Sequence, residues 1–225
     1  MENNELRAQI LATIIRKSSL KQRVFDSTFS AFNLLKDTLL EMASELEDAL
    51  EGKLDRRVRI EYRDRGKFET QLQVASDMLL FQMQTDVFCF DPTHPVLQTS
   101  YLKEEPANGF CGVINIYNFL SDSFKFNRKD DEGYLIGRIF INHTGHYFVE
   151  GKGRHAISAS QFGSEEIDRD ALIRILEEAI DYALDFDPYM PPYSENLRVT
   201  VDQFNSKMDN SKFITGKRLG YDFEL

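Results

Sequence analysis

The feature that most constrains this chain is a set of apolar residues at seven-residue spacing, Phe25, Phe32, Leu39 and Leu46, with Thr28, Leu35, Met42 and Ala49 interleaved. That spacing is the apolar face of a helix. Ser19, with Gln22 three residues on, reads as a capping box that starts the helix near Leu20, and Gly52 ends it. A helix from Leu20 to Glu51 is roughly 45 Å long, enough to cross a whole domain. Phe29, Ala43 and Leu50 widen the stripe beyond a two-position seam, and phenylalanine fits the seam of a tight dimeric coiled coil poorly. The expectation is a core helix. Upstream, Leu6, Ile10 and Ile14 at four-residue spacing, flanked by Leu11 and Ile15, predict a separate short amphipathic helix over residues 4–17.

After Gly52 the period drops to two. Val58, Ile60 and Tyr62 alternate with Arg57, Arg59, Glu61 and Arg63, the pattern of a half-buried strand. Asp64-Arg65-Gly66 turns the chain into Phe68, Thr70, Leu72 and Val74, completing a hairpin. Leu79, Phe81, Met83, Thr85, Val87 and Cys89 share one face of a long third strand. Residues 91–108, with Pro92, Pro95 and Pro106, read as a long loop and a candidate lid. Strand patterns resume over residues 110–119 and 134–142, and His143-Thr144-Gly145 returns the chain through residues 146–150.

Residues 164–187 predict a last long helix, with Leu172, Ile175, Leu176, Ala179, Ala183 and Phe186 on one face and Pro188 ending it. Its outer face is acidic, with nine acids between Glu165 and Asp187 against Arg169 and Arg174. A polar tail follows, marked only by a capping box at Thr200 and Gln203.

These elements predict a single α+β domain over residues 1–225: a helical part to residue 52, an antiparallel sheet over 53–163, the last helix, and a tail over 188–225 packed on the domain. The sheet is a meander of about six strands, covered on one face by the long N-terminal and C-terminal helices and left polar on the other.

Composition and charge narrow the function. No run approaches the roughly 18 apolar residues of a membrane span, and the start lacks the basic and apolar regions of a signal peptide, so a cytoplasmic location is expected. Cys89 and Cys111 lie in apolar strand patterns and are expected to be buried, reduced thiols. A net charge of −10 argues against strong nucleic-acid binding, which depends on Lys and Arg releasing counterions.

Two constellations invite chemistry. His143, His146, Glu150 and His155 lie within thirteen residues, and imidazole with carboxylate can serve acid–base or metal chemistry. His146 and Glu150 are roughly 13 Å apart along a strand, however, so they cannot hold one ion locally. Separately, residues 53–67 carry Lys53, Arg56, Arg57, Arg59, Arg63, Arg65 and Lys67 against Asp55, Glu61 and Asp64. Period two puts Arg57, Arg59 and Arg63 on one face, and the return strand adds Lys67, a candidate site for an anionic ligand. The competing reading of that face is solvated residues paired across strands.

Walker, dinucleotide, GxSxG and HExxH motifs are absent in usable form, and the two cysteines and four histidines make no spaced metal set. No cofactor or metal is expected. The function expected is therefore a non-catalytic interaction or assembly protein acting through the long helix and the open sheet face, self-associating as a dimer. An anionic-ligand or nucleotide sensor on the basic hairpin, and an enzyme with a histidine-centred site, are the alternatives.

Overall fold

The computed structural model describes residues 2–55, 57–129, 131–151 and 158–185. Its first element, α1 (Glu2–Leu50), is one unbroken helix of 49 residues, about 73 Å long. The two expected helices are one. No glycine or proline occurs between Glu2 and Leu50, and an interior serine lowers helix stability by only a few tenths of a kcal/mol. Buried Leu20 and Val24 then hold the chain in helical register just where the capping box would have broken it. Gly52, at φ 73°, provides the left-handed residue past the end.

The buried side of α1 runs through Leu20, Val24, Phe32, Leu35, Leu39 and Met42. Thr28 and Thr38 sit on the same side without penalty, because their hydroxyls donate back to the carbonyls of Val24 and Leu34 at 2.8 Å. Every residue from Glu5 to Ser19 is exposed. The helix is thus clamped over its later part and overhangs as an arm of about five turns.

The clamp is a seven-stranded antiparallel sheet: β1 (Ile60–Asp64), β2 (Glu69–Val74), β3 (Asp77–Met83), β4 (Phe88–Cys89), β5 (Phe110–Leu120), β6 (Tyr134–Asn142) and β7 (Tyr147–Gly151). The order is β1-β2-β3-β5-β6-β7, with β4 pairing β5 beyond the end of β3, so the chain is a meander of six lanes. The expected long third strand is interrupted. Gln84 N–H still donates to the Val113 carbonyl at 2.8 Å, and pairing resumes at Phe88 with Cys111. Thr85, Asp86 and Val87 therefore stand where the partner strand has only Gly112, a bulge that ends the alternation. Cys89 consequently lies exposed rather than buried, whereas Cys111 is buried, and burial pushes its thiol pKa up.

One face of the sheet carries the main core. Leu72, Leu79, Phe81, Ile114 and Ile139 pack under Phe32, Leu35 and Leu39 of α1 and under Leu172 and Leu176 of α4 (Arg169–Leu184). The last helix starts five residues later than its pattern predicts, because Asp168 caps it, its carboxylate accepting from Ala171 N–H at 2.8 Å. Phe186, Pro188 and the Thr200–Gln203 capping box lie outside the described residues.

The second face is polar only in part. Over β1 to β3 it carries Arg63, Gln71, Gln73 and Gln82. Over β5 to β7 it carries Cys111, Val113, Phe140 and Phe148, which form a second core with Val96, Leu102 and Phe162. The expected lid is therefore a packed cover. Residues 91–109 contain a 3₁₀ turn at Pro95–Gln98, the short helix α2 (Ser100–Glu104) and a second 3₁₀ turn at Pro106–Gly109. A further short helix, α3 (Ser121–Lys125), lays Phe124 edge-on to Phe119 at 5.3 Å.

At Gly112 the helix comes close to the sheet: an added Cβ would stand 2.2 Å from Thr28 Oγ1 and 2.8 Å from its Cβ. Only glycine fits there. Gly112→Ala is expected to lower unfolding free energy by about 3 kcal/mol, the upper range for overpacking, with part recovered in Gly112→Ala/Thr28→Ala. Urea denaturation measures both. An unchanged midpoint for Gly112→Ala would contradict this packing.

Candidate functional site

The four basic hairpin residues do not form one cationic face. Arg57 and Arg59 precede β1, Arg63 lies in β1, and Lys67 lies in the turn to β2. Arg57 is tied to Asp55 through two bonds, Nε–Oδ1 at 3.0 Å and Nη2–Oδ2 at 2.9 Å. Arg63 is tied in the same way to Glu61, at 2.8 and 3.1 Å. The Arg57 hydrogen bonds hold the Asp55 carboxyl below its ordinary pKa, and the Glu61 hydrogen bond and charge raise that of Arg63. Lys67 turns to the helix side, its ammonium 5.2 Å from the ring centroids of Phe29 and Phe68.

Arg59 alone has no side-chain partner among the described residues. It lines an open cleft of about 690 Å³ between the end of α1 and β1, whose helix wall carries Glu47, Asp48 and Glu51. Asp55 and Glu61 line it as well, so an anion entering there would meet five carboxylates. Of these guanidinium groups, those of Arg57 and Arg63 are thus each satisfied by an acid two residues away, and that of Arg65 by Gln71 Oε1 at 2.6 Å.

The histidine hairpin also comes apart. His146 Nδ1 is 2.9 Å from Thr144 Oγ1 and 3.2 Å from Tyr101 Oη. The Thr144 hydroxyl proton goes to Asn142 Oδ1 at 2.8 Å, so the Thr144–His146 contact requires the imidazole to donate from Nδ1. Asn142 Nδ2 donates to Tyr101 Oη at 2.9 Å, closing a network that pins α2 to the β6–β7 turn. His143 follows β6 on the opposite side, facing Arg23 of α1 and Glu105, with Nδ1 buried and without a partner among the described residues. His155 lies outside the described residues.

Glu150 meets a different histidine. Its Oε1 accepts from His94 Nε2 at 2.9 Å and its Oε2 from Arg138 Nη2 at 2.5 Å. His94 Nδ1 accepts from Val96 N–H at 3.2 Å, which leaves Nε2–H as the donor to Glu150. The His94 ring also lies 4.8 Å from that of Phe90. The trio fastens the cover segment to β7, with both imidazole nitrogens occupied. Sequence inspection does not pick out His94, because it lies 56 residues from Glu150 and only the fold joins them. Among the described residues, no group of three or more His, Cys, Asp or Glu is gathered as a metal-ligand set. No described helix is long and apolar enough to cross a membrane.

What stands uncovered is the arm. Leu6, Ile10, Leu11, Ile14 and Ile15 are 49–67% exposed, where residues of this kind are ordinarily inside. The spacing that predicts an amphipathic helix is real, but among the described residues nothing covers its apolar side. Comparison of the chain with protein-family models, curated proteins and solved structures finds no match.

Protonating His143 places a cation in a partly buried site beside Arg23. Burial, then Arg23, lowers its pKa below 6.5, with Glu105 opposing. The unfolded chain therefore binds more protons between the folded pKa and 6.5, and stability rises with pH across that window. The contribution is complete above about 6.5 and lost as pH falls below it. Thermal unfolding is expected to show this loss in the native sequence and a flatter profile in His143→Gln. Identical slopes would remove His143 from the account.

Proposed function

We propose that this is a non-catalytic interaction or assembly protein: the sheet and its helices hold α1 rigid, and the exposed first part of α1 is its docking element. The observation that carries this reading is the continuous apolar stripe of Leu6, Ile10, Leu11, Ile14 and Ile15 on a helix that leaves the body of the molecule. A solitary helix of this length is marginal in water. Here it extends a helix already nucleated and packed, so its shape is set before any partner arrives and little ordering is left for the docking step.

The polar constellations support the same reading from the other side. His94 and His146 hold neighbouring segments together, Arg57 and Arg63 are each tied to an acid two residues away, and the hydroxyls beside His146, those of Thr144 and Tyr101, belong to the network that pins α2 to the β6–β7 turn. The free thiols Cys89 and Cys111 accord with work in the reducing cytoplasm.

The partner is a second copy of the chain, in a two-fold dimer. Covering an already half-exposed Leu or Ile gains about 1 kcal/mol. Five such residues from each copy give on the order of 10 kcal/mol, set against an association cost of about 4 to 15 kcal/mol. At the low end of that cost about 6 kcal/mol remains, which is pairing in the tens of micromolar.

Light scattering after size exclusion tests this directly. A mass near twice 26.1 kDa is expected at tens of micromolar protein, falling to one chain for Leu6→Ser/Ile10→Ser while the far-UV helix signal is largely kept. A single 26.1 kDa species at every concentration would overturn the dimer. Loss of the fold in the double variant would instead place those side chains in the monomer core.

A further inference from the structure

Two unmet demands fall together beside the cleft at the end of α1. The first is the outer edge of β1. Ala75 N–H donates to the Arg59 carbonyl at 2.8 Å and Arg65 N–H to the Glu69 carbonyl at 3.2 Å, so Arg59, Glu61, Arg63 and Arg65 turn their backbone groups toward β2. Ile60, Tyr62 and Asp64 turn theirs the other way, where no other strand pairs with β1 and no backbone bond reaches them from the described residues.

The second demand is electrostatic. The C-terminal end of a helix favours cations, yet the last turn of α1 holds no base and carries Glu47 and Asp48, with Glu51 just after it. These three carboxylates line the cleft without a side-chain partner among the described residues. Lys53, the nearest base in sequence, donates to the Ala49 carbonyl at 2.8 Å instead. Asp55 and Glu61 are already answered by Arg57 and Arg63. Between the charges lie Leu54 and Val58, each 38% exposed.

We infer that this edge and cleft take an extended basic segment of a partner protein, laid along β1 as a further strand with Lys or Arg at alternate positions. The site is separate from the arm and does not rest on its docking role. Occupant residues opposite Ile60 and Tyr62 share the face of those two side chains, which is the α1 face. A Lys or Arg there lays its methylene stem over Leu54 and Val58 and brings its charge to Glu47, Asp48 and Glu51. The charges along β1 keep unsuited strands away. A second copy is such a strand, because its own β1 would place Ile60, Tyr62 and Asp64 on that face and no cation.

The probe is a dye-labelled, end-capped peptide, Thr-Lys-Thr-Lys-Thr-Lys-Thr, titrated with the full chain at low salt and read by fluorescence anisotropy. Saturable binding is expected, weakened about fivefold by Glu47→Gln/Glu51→Gln. Methylating the backbone nitrogen of each lysine keeps the peptide's charge but removes its bonds to the edge, and should weaken binding about tenfold. Tyr62→Pro removes an outward donor without touching the bonds to β2, and should weaken binding about tenfold relative to Tyr62→Ala, which keeps that donor. Far-UV circular dichroism checks the fold of each variant, and the methylated peptide decides the matter if Tyr62→Pro does not fold.

No saturable binding, equal binding of the methylated peptide, or undiminished binding by Glu47→Gln/Glu51→Gln would overturn the proposal. A dimer lost in Tyr62→Pro but kept in Tyr62→Ala would overturn it in favour of a second copy at the edge. Binding that appears only in Lys212→Glu/Lys217→Glu/Arg218→Glu would overturn it in favour of the chain's own C-terminal segment.

Discussion

Everything in this structure is referred to the packing of α1 across the sheet. Phe32, Leu35 and Leu39 are fully buried against Leu72, Leu79, Phe81 and Ile114, and Gly112 lets the helix backbone approach β5 at Thr28. Burial of such side chains contributes about 1.5 to 3 kcal/mol each, so the clamped part of α1 is fixed by far more than helix propensity. A helix without glycine or proline transmits that fixity along its axis. The first five turns continue a helix whose later turns are held.

Polar contacts fasten the pieces around that clamp rather than gathering at a reactive centre. Lys36 joins α1 to the first hairpin, donating to Asp64 at 2.9 Å and to the Gly66 carbonyl. Arg169 at the start of α4 pairs with Glu41 of α1. On the second face, His94, Glu150 and Arg138 hold the cover segment at one end, and Tyr101, Asn142, Thr144 and His146 hold it at the other. Exposed ion pairs add little stability one by one. Their effect here is to fix which segment lies where, while two apolar clusters supply the energy.

The α+β class, the antiparallel meander and the apolar faces of α1 and α4 were legible in the sequence, since period and turn chemistry are local. What escaped is not local. Ser19 and Gln22 carry a correct capping pattern, yet buried Leu20 and Val24 outweigh it once the sheet is present. The bulge at residues 85–87 depends on Gly112 of a strand more than twenty residues away. Val113, Phe140 and Phe148 signalled a second buried face, because β5 and β6 are apolar on both sides, but the segment that covers them reads as a proline-bearing loop. The histidine site assumed that neighbours in sequence act together, whereas Glu150 meets His94. The arm was legible as an apolar stripe; that nothing in the chain's described part covers it is a property of the fold alone.

The central claim is that α1 is one helix, covered by the described part of its own chain over its later turns and left uncovered by it before Leu20. Amide hydrogen exchange, resolved along α1 and measured at two protein concentrations, tests it most directly. Residues 24–43 should be strongly protected at both concentrations, and residues 5–19 should exchange quickly in dilute solution and slow as the concentration rises. Protection of residues 5–19 that is equally strong at the lowest concentration would contradict the account, since the chain itself would then be covering the arm.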